Sequence, residues 1–570
     1  MTQELLEKAQ HWISIDPDEQ TRTQLQDIID RVLAGDAVAE ADLTDRFSGT
    51  LQFGTAGLRA ELGAGPMRMN RVVVRRAATG LANYANRRAK VEGWEKKPTA
   101  VVGFDARYNS DIFAEETAAI FEAAGIHTFL MPSPLPTPVL AWATREYGAE
   151  IGVMVTASHN PPNDNGYKVY LGGQAVEEHA AGAQIVPPFD SDIAQEIANV
   201  CDSTISLAKA GWEILPESVA TDYVQRIGEL SEHAERDLSI VYTPMHGVGG
   251  QTIISVLNNA GFEKLAVVQE QFAPDPAFPT VSFPNPEEPG ALDLAFKLAE
   301  ERDADLIIAN DPDADRAAFA VFDPAVEGWR QLRGDEIGSL LGIAMIERLG
   351  DFSSADNTPV FANSIVSSRQ LGAIARSAGI EHFETLIGFK WIARIKNLAY
   401  GYEEAIGYSV APEAVKDKDG ISAGLIVALY AQQLKSAGSS LIEVLDQIAR
   451  EHGVYSTEQV SIRVEDLSLI GNMMTSLRIN TPQSLGGSPV TSTVDLTEGS
   501  EQLPPTEGML FLTEDNSRVI VRPSGTEPKL KCYLEVIAPV ADGDDLASVR
   551  TNNQQKLIKI ANDVRAALGL

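Results

Sequence analysis

The chain has 570 residues, 44% hydrophobic and 22% charged, a globular composition too long for a single core, so about three to five domains are expected. Its net charge of −34 argues against nucleic acid and anionic membranes as partners, because the far field repels phosphates. A site for a phosphate ester in such a protein must gather its cations locally, so basic residues inside motifs carry extra weight.

No apolar run approaches the roughly 20 residues that span a bilayer. The opening Met1-Thr-Gln-Glu-Leu-Leu-Glu-Lys has neither the basic nor the apolar region of a signal peptide. Cys201 and Cys532 cannot build a disulfide framework in so long a chain. A cytoplasmic location is the expectation.

In chain order, residues 1–48 read as polar helices, with a periodic run from Thr23 to Leu33 that stops at Gly35. Short apolar strands then alternate with amphipathic helices, as in Ala100–Asp105, the helix Ile112–Ala124 and Thr128–Met131. The alternation recurs at Leu238–Thr243 before Gly247–Gly250, at Asp305–Ala309, and at Pro359–Ala362 before Ser368–Ala378. Strands alternating with helices argue for βαβ units. The last ~110 residues instead alternate like half-buried antiparallel strands, at Gln459–Val464, Val519–Arg522 and Leu530–Ile537, with a helix to the end. The expectation is a helical extension (1–48), three α/β domains (49–208, 209–325, 326–455) with mixed, largely parallel sheets, and an α+β domain (456–570) with an antiparallel sheet.

Six segments carry chemistry. Phe53-Gly-Thr-Ala-Gly-Leu-Arg59 opens the first domain. Thr156-Ala-Ser158-His159-Asn-Pro-Pro162, closing at Asn165-Gly-Tyr-Lys168, puts one serine on a turn after an apolar strand, with a lysine on the next strand. A serine hydroxyl is a weak nucleophile and needs a base, a metal or a charge field. Asn310-Asp311-Pro-Asp313-Ala-Asp315-Arg316 follows another strand. Three clustered carboxylates demand a cation, and Mg²⁺ suits oxygen ligands beside a phosphate. The strand's C-terminal end is where α/β sheets place ligands.

Gly388-Phe-Lys390-Trp-Ile392 lies in the third domain, where Lys390 alone reads as a solvated helix residue. Gly401-Tyr-Glu403-Glu404-Ala-Ile-Gly-Tyr408 offers adjacent carboxylates, suited to vicinal hydroxyls. Arg522-Pro-Ser524-Gly525-Thr526-Glu-Pro-Lys529 combines cations with a glycine turn able to form an anion nest. Residues 409–416 show no assignable pattern.

Taken in this order and at domain-sized intervals, these segments resemble the signatures of the α-D-phosphohexomutases, the phosphoglucomutase and phosphomannomutase superfamily. The likeness covers about residues 48 to 540, and the opening segment points to the larger branch related to phosphopentomutase and phosphoglucomutase-2. It implies four domains around a central cleft and a phosphoryl group carried by Ser158. It also implies Mg²⁺ held by Asp311, Asp313 and Asp315 and touching the group on Ser158. Arg59 would enter the active site, Arg316 would orient the phosphoryl group, and Lys168 would act as general base with a depressed pKa. His159 would orient the loop.

On the same resemblance Gly388 and Lys390 would meet the phosphosugar, and Glu403 and Glu404 would read its hydroxyls. Arg522, Ser524, Gly525, Thr526 and Lys529 would bind the phosphate that is not reacting. The implied reaction interconverts glucose 1-phosphate and glucose 6-phosphate, with glucose 1,6-bisphosphate as activator, in a monomer or homodimer. Mannose or pentose phosphates, or synthesis of a sugar bisphosphate, remain open. A metal-dependent phosphatase with a serine nucleophile, or a phosphotransferase using Asp311 as its nucleophile, is the reading from another class, and a non-enzymatic scaffold would require broken catalytic positions.

Overall fold

Three helices open the chain, Gln3–Ile15, Glu19–Leu33 and Ala37–Arg46. Asp18 and Asp36 cap the second and third by accepting backbone N–H bonds, the arrangement that satisfies orphan donors at a helix start. The computed structural model describes residues 3–351, 358–464, 467–500, 503–524 and 529–570. It divides into two units: one runs through Gln331 and takes in Ala393–Lys396 and Gly407–Gln432, and the other holds the rest.

The first unit carries two sheets. Strands β1 (Leu58–Glu61), β2 (Thr99–Phe104), β3 (His127–Leu130), β4 (Ile151–Val155), β5 (Asp164–Leu171), β6 (Ala183–Gln184) and β7 (Glu213–Ile214) form one, in the order β1-β5-β4-β2-β3-β7 with β6 on β5. Its centre, β3-β2-β4, is parallel, and β5 and β1 add antiparallel strands at one side. Val101, Val102, Ile151, Val153 and Val155 are buried, as expected of strands covered on both faces. The long helix Arg71–Glu92 starts on the Asn70 side chain and stops at left-handed Gly93.

The second sheet joins β8 (Ile240–Thr243), β9 (Leu265–Val267), β10 (Leu306–Asn310), β11 (Ala317–Asp323) and β12 (Gly328–Gln331) in the order β12-β11-β10-β8-β9. Here β9-β8-β10 is parallel, and β10 turns back antiparallel into β11 through the acidic segment.

In the other unit, β13 (Val360–Ser364), β14 (Glu381–Thr385) and β15 (Leu398–Glu403) make a parallel sheet with β13 central. The antiparallel C-terminal sheet contains β16 (Val454–Arg463), β17 (Ser484–Leu485), β18 (Ser488–Asp495), β19 (Met509–Thr513), β20 (Arg518–Pro523) and β21 (Lys529–Ala538), ordered β16-β21-β20-β19-β18-β17. Helix Leu546–Ala567 packs Leu557 and Ile560 on Val519, Leu530 and buried Cys532. Three α/β sheets and one antiparallel sheet match the expected fold class. Among the described residues no helix is long and apolar enough to cross a membrane.

Candidate active site

Ser158 sits on the turn that leaves β4, and its backbone is left-handed (φ 52°) although it is not glycine. Such strain persists only where surroundings over-determine it. The surroundings are clear: Ser158 N–H donates to Thr156 Oγ1 (2.9 Å), and Arg107 holds the loop from beneath. The Arg107 guanidinium donates to the carbonyls of Ser158 (2.6 Å), Asn160 (2.6 Å), Pro161 (2.7 Å) and Asp164 (3.1 Å). Asp105 completes the support by accepting from Thr156 Oγ1 and Ser110 Oγ. Arg107 has no flag in the sequence beyond lying after β2, so local motif reading passes over it.

The acidic segment leaves β10 at the equivalent place in the second sheet. Asp311, Asp313 and Asp315 are buried, and each offers a carboxylate oxygen within 4.8 Å of the others. Ser158 Oγ donates to Asp311 Oδ2 at 2.8 Å, joining serine and triad directly. Thr137 Oγ1 donates to Asp313 at 2.6 Å and Thr137 N–H to the Asp313 carbonyl. The turn needs close backbone contacts: a Cβ on Gly247 would lie 2.4 Å from Pro312 Cα, and one on Gly420 2.3 Å from the Arg316 carbonyl oxygen.

Cations gather at the triad as the acidic composition requires. Lys168 Nζ, buried, donates to Asp313 (2.6 Å) and Asp315 (2.9 Å). Lys418 Nζ approaches Asp315 at 3.2 Å, and Arg316 Nε lies 3.7 Å from its other oxygen. Burial works against the Asp315 anion, but Lys168, Lys418 and Arg316 together hold its carboxyl far below the usual range. Asp311 goes the other way: burial, then Asp313 and Asp315, push it well up. Asp313 Oδ1 and Asp315 Oδ1 are buried and, among the described residues, accept no hydrogen bond. Buried, unsatisfied carboxylate oxygens are costly, and oxygen-only donors converging on one point are what a hard divalent cation takes. The residues present therefore fit a metal ion.

A general-base lysine needs a depressed pKa, whereas Lys168 is raised above the ordinary lysine value. Burial alone would lower it, but Asp313 and Asp315 outweigh burial. His159 places Nδ1 3.3 Å from Ser158 Oγ. Burial, then Arg316 and Arg59, keep that imidazole well below its usual pKa. Arg59 on β1 donates to Asn160 Oδ1 at 3.0 Å, so it does reach the serine loop.

Lys418 was not anticipated. It lies just beyond residues 409–416, and its stem fills the space over Gly407, where a Cβ would meet Lys418 Cδ at 2.2 Å. Its neighbours are anchored too: Asp417 accepts from Tyr170 Oη and Gln184 Nε2, and Asp419 from Tyr223 Oη. A Lys-Asp-Lys-Asp run reads as surface charge, and only the fold shows that it is buried.

The remaining candidates lie in the other unit. Glu403 accepts the Gly388 N–H at 2.7 Å, and the Lys390 stem passes 3.1 Å from the Cβ position of Gly388, so these three residues meet. Glu404 accepts from Ser367 Oγ (2.8 Å) and Ser364 Oγ (3.2 Å). Burial, then Glu403 and Asp335, push the Glu404 carboxyl up to about 7. Tyr533 on β21 hydrogen-bonds with Arg522 and feels both glutamates, which ties the Arg522 segment to the Glu403 loop. Ser524 and Lys529 flank that segment, while Gly525 and Thr526 lie outside the described residues.

Models of the phosphoglucomutase/phosphomannomutase family match residues 50–200 (α/β/α domain I), 221–323 (domain II), 333–451 (domain III) and 491–548 (C-terminal domain). A probable phosphomannomutase of Haemophilus influenzae is 45% identical over 471 residues, 82% of this chain and 93% of that protein. A phosphoribomutase of Saccharomyces cerevisiae is 36% identical over 565 residues, 87% of this chain and 88% of that one. The solved structure of parafusin, a phosphoglucomutase of Paramecium, aligns with TM-score 0.67 at 19% identity, over 92% of this chain and 97% of that one, which shows the fold alone. The chain belongs to the phosphoglucomutase/phosphomannomutase family, phosphosugar mutases of the isomerase class.

Proposed function

We propose that this enzyme moves a phosphoryl group within a sugar phosphate by way of phosphorylated Ser158, interconverting glucose 1-phosphate and glucose 6-phosphate. The observation that carries the reading is the 2.8 Å bond from Ser158 Oγ to a carboxylate triad with two unsatisfied oxygens. A group on Ser158 would stand at that triad, where phosphoryl transfer needs positioning and charge neutralisation more than covalent chemistry.

Asp311, Asp313 and Asp315 would hold Mg²⁺, which when bound neutralises charge on the phosphoryl oxygens. In the first transfer the free sugar hydroxyl attacks the phosphorus on Ser158. The new O–P bond forms as the Oγ–P bond breaks, leaving a bisphosphate and free Ser158. The bisphosphate turns end for end, and Ser158 Oγ takes the other phosphate in the reverse sense. Arg59 and Arg316 would steady the phosphoryl oxygens. Lys168 remains the candidate for the hydroxyl proton: it would hand the proton it now holds between Asp313 and Asp315 to the departing Ser158 Oγ and take the one the attacking hydroxyl loses, so the step ends with Ser158 as a hydroxyl and Lys168 protonated again.

Gly388, Lys390, Glu403 and Glu404 would bind the sugar, with Arg522, Ser524 and Lys529 on its distant phosphate; trace glucose 1,6-bisphosphate would prime Ser158. Pentose phosphates are the second reading, favoured by the near full-length likeness to the S. cerevisiae phosphoribomutase. The deciding assay follows product from glucose, mannose and ribose 1-phosphates with Mg²⁺ and a trace of the matching bisphosphate, reading inorganic phosphate in parallel. Isomer without phosphate release supports the proposal, and the fastest sugar names the substrate. Phosphate release without isomer overturns it in favour of a phosphatase.

A further inference from the structure

The helical N-terminal segment has no part in the chemistry above, yet its side chains are built into the turn that carries β1. Arg46, at the end of helix Ala37–Arg46, is only 8% exposed. Its guanidinium donates to the Ala64 carbonyl at 3.1 Å and to Asp42 Oδ1 at 2.8 Å on its own helix. Gln24, on helix Glu19–Leu33, accepts the Ala64 N–H at 2.9 Å through Oε1, and the same oxygen lies 3.4 Å from Arg46 Nη1. Ala64 thus has both its backbone groups taken by the N-terminal helices.

The grip is reciprocal. Arg68, farther along the same turn, reaches back to Asp45 at 2.6 Å, and its Nε lies 3.7 Å from Glu61 on β1. The Met67 N–H donates to the Arg46 carbonyl. No room is spare: a Cβ on Gly63 would meet Arg46 Nη1 at 2.8 Å, and one on Gly65 the Arg46 carbonyl oxygen at 3.1 Å.

What the turn holds is the reactive side of the first sheet. β1 pairs with β5 in a register that sets Arg59 against Gly166 and Leu58 against Tyr167, one residue before Lys168. The Leu62 N–H donates to the Asn163 carbonyl at 2.7 Å, inside the segment that closes the serine loop. β1 is the outermost strand of its sheet on that side, so its partner β5 supports it on one edge only. An outer strand of four residues has few ladder bonds of its own to fix its position.

We infer that Arg46 and Gln24 are positioning residues: the N-terminal helices lock the 62–70 turn and so fix where Arg59 stands beside the Ser158 loop. The inference rests on the proposed role of Arg59 in gripping phosphoryl oxygens. A displacement of about 1 Å at such a group can cost up to 100-fold in rate, so losing the lock should act on turnover more than on sugar binding.

The test uses the full-length protein with Arg46→Ala, Gln24→Ala and a control, Val32→Ala, which trims buried packing about 12 Å along the helix from Gln24. Mutase kcat, KM and thermal midpoint are measured for each, at temperatures equally far below each midpoint. The expected result is at least a fivefold fall in kcat for Arg46→Ala and Gln24→Ala, with KM within about twofold and Val32→Ala at wild-type kcat. Arg46→Lys, which keeps the charge and loses the fork, should recover only part of the rate. Equal kcat in all variants, or an equal fall in the control, overturns the inference and leaves the helices as a packing appendage. Absence of mutase activity in the wild-type protein would instead refute the proposed reaction, so the two failures are distinct.

Discussion

Ser158 Oγ and Asp311 Oδ2 share a 2.8 Å hydrogen bond across 153 positions of sequence, each at the exit of a parallel strand in its own sheet. Two strand ends aimed at one another bring an oxygen nucleophile and an acidic cluster into contact. If phosphoryl transfer passes through this serine, Ser158→Ala should lower mutase turnover by about 10⁴-fold and take up no label from a labelled bisphosphate. Near-wild-type turnover in that variant would end the phosphoserine scheme.

Lys168 is the nearest counter-charge to both Asp313 and Asp315. Removing one partner of a buried ion cluster costs about 3–5 kcal/mol, because the charges left behind are uncompensated. Lys168→Met should therefore destabilise the chelator-treated protein by roughly that amount in denaturant unfolding. Added Mg²⁺ should stabilise the variant more than the wild type, since a cation at the triad would replace the missing charge. Equal stabilisation of both would mean that the carboxylates do not take the ion.

Arg107 binds four carbonyls of the serine loop through one planar fork. A lysine keeps the charge but cannot reproduce the fork. Arg107→Lys should lose about 2–4 kcal/mol of stability, from hydrogen bonds to a charged group. It should also lower kcat, because Ser158 would relax from its left-handed backbone. A wild-type melting curve together with wild-type kcat would show that the loop holds itself.

Glu404 carries a pH signature. Its carboxyl is pushed from an ordinary 4.5 up to about 7 by burial, Glu403 and Asp335. A raised folded-state pKa means that the native state keeps a proton which the unfolded chain releases, so this contribution is present below about pH 4.5 and lost as pH rises through 7. Thermal midpoints of wild type and Glu404→Gln should coincide near pH 4.5, diverge in favour of the variant up to pH 7, and then run parallel. A constant difference at every pH would contradict the assignment.

The chain alone revealed what is local. The strand before Ser158, the strand before Asp311 and the antiparallel C-terminal strands are written in apolar runs and alternation, because backbone geometry repeats over a few residues. The chemistry of each loop was legible for the same reason: serine, triad, glutamate pair and arginine segment are contiguous. Sequence could not show which distant residues share a loop's surroundings. Arg107 and Lys418 carry no local mark, and the polar helices that grip Ala64 read as an appendage. The protonation of Lys168 has no local mark either, because a pKa is the sum of burial and every nearby charge, and here two aspartates from another sheet outweigh burial. Composition and periodicity chose the elements and their chemistry; strand order and long-range packing decided which charges met, because electrostatic fields follow distance in space and not along the chain.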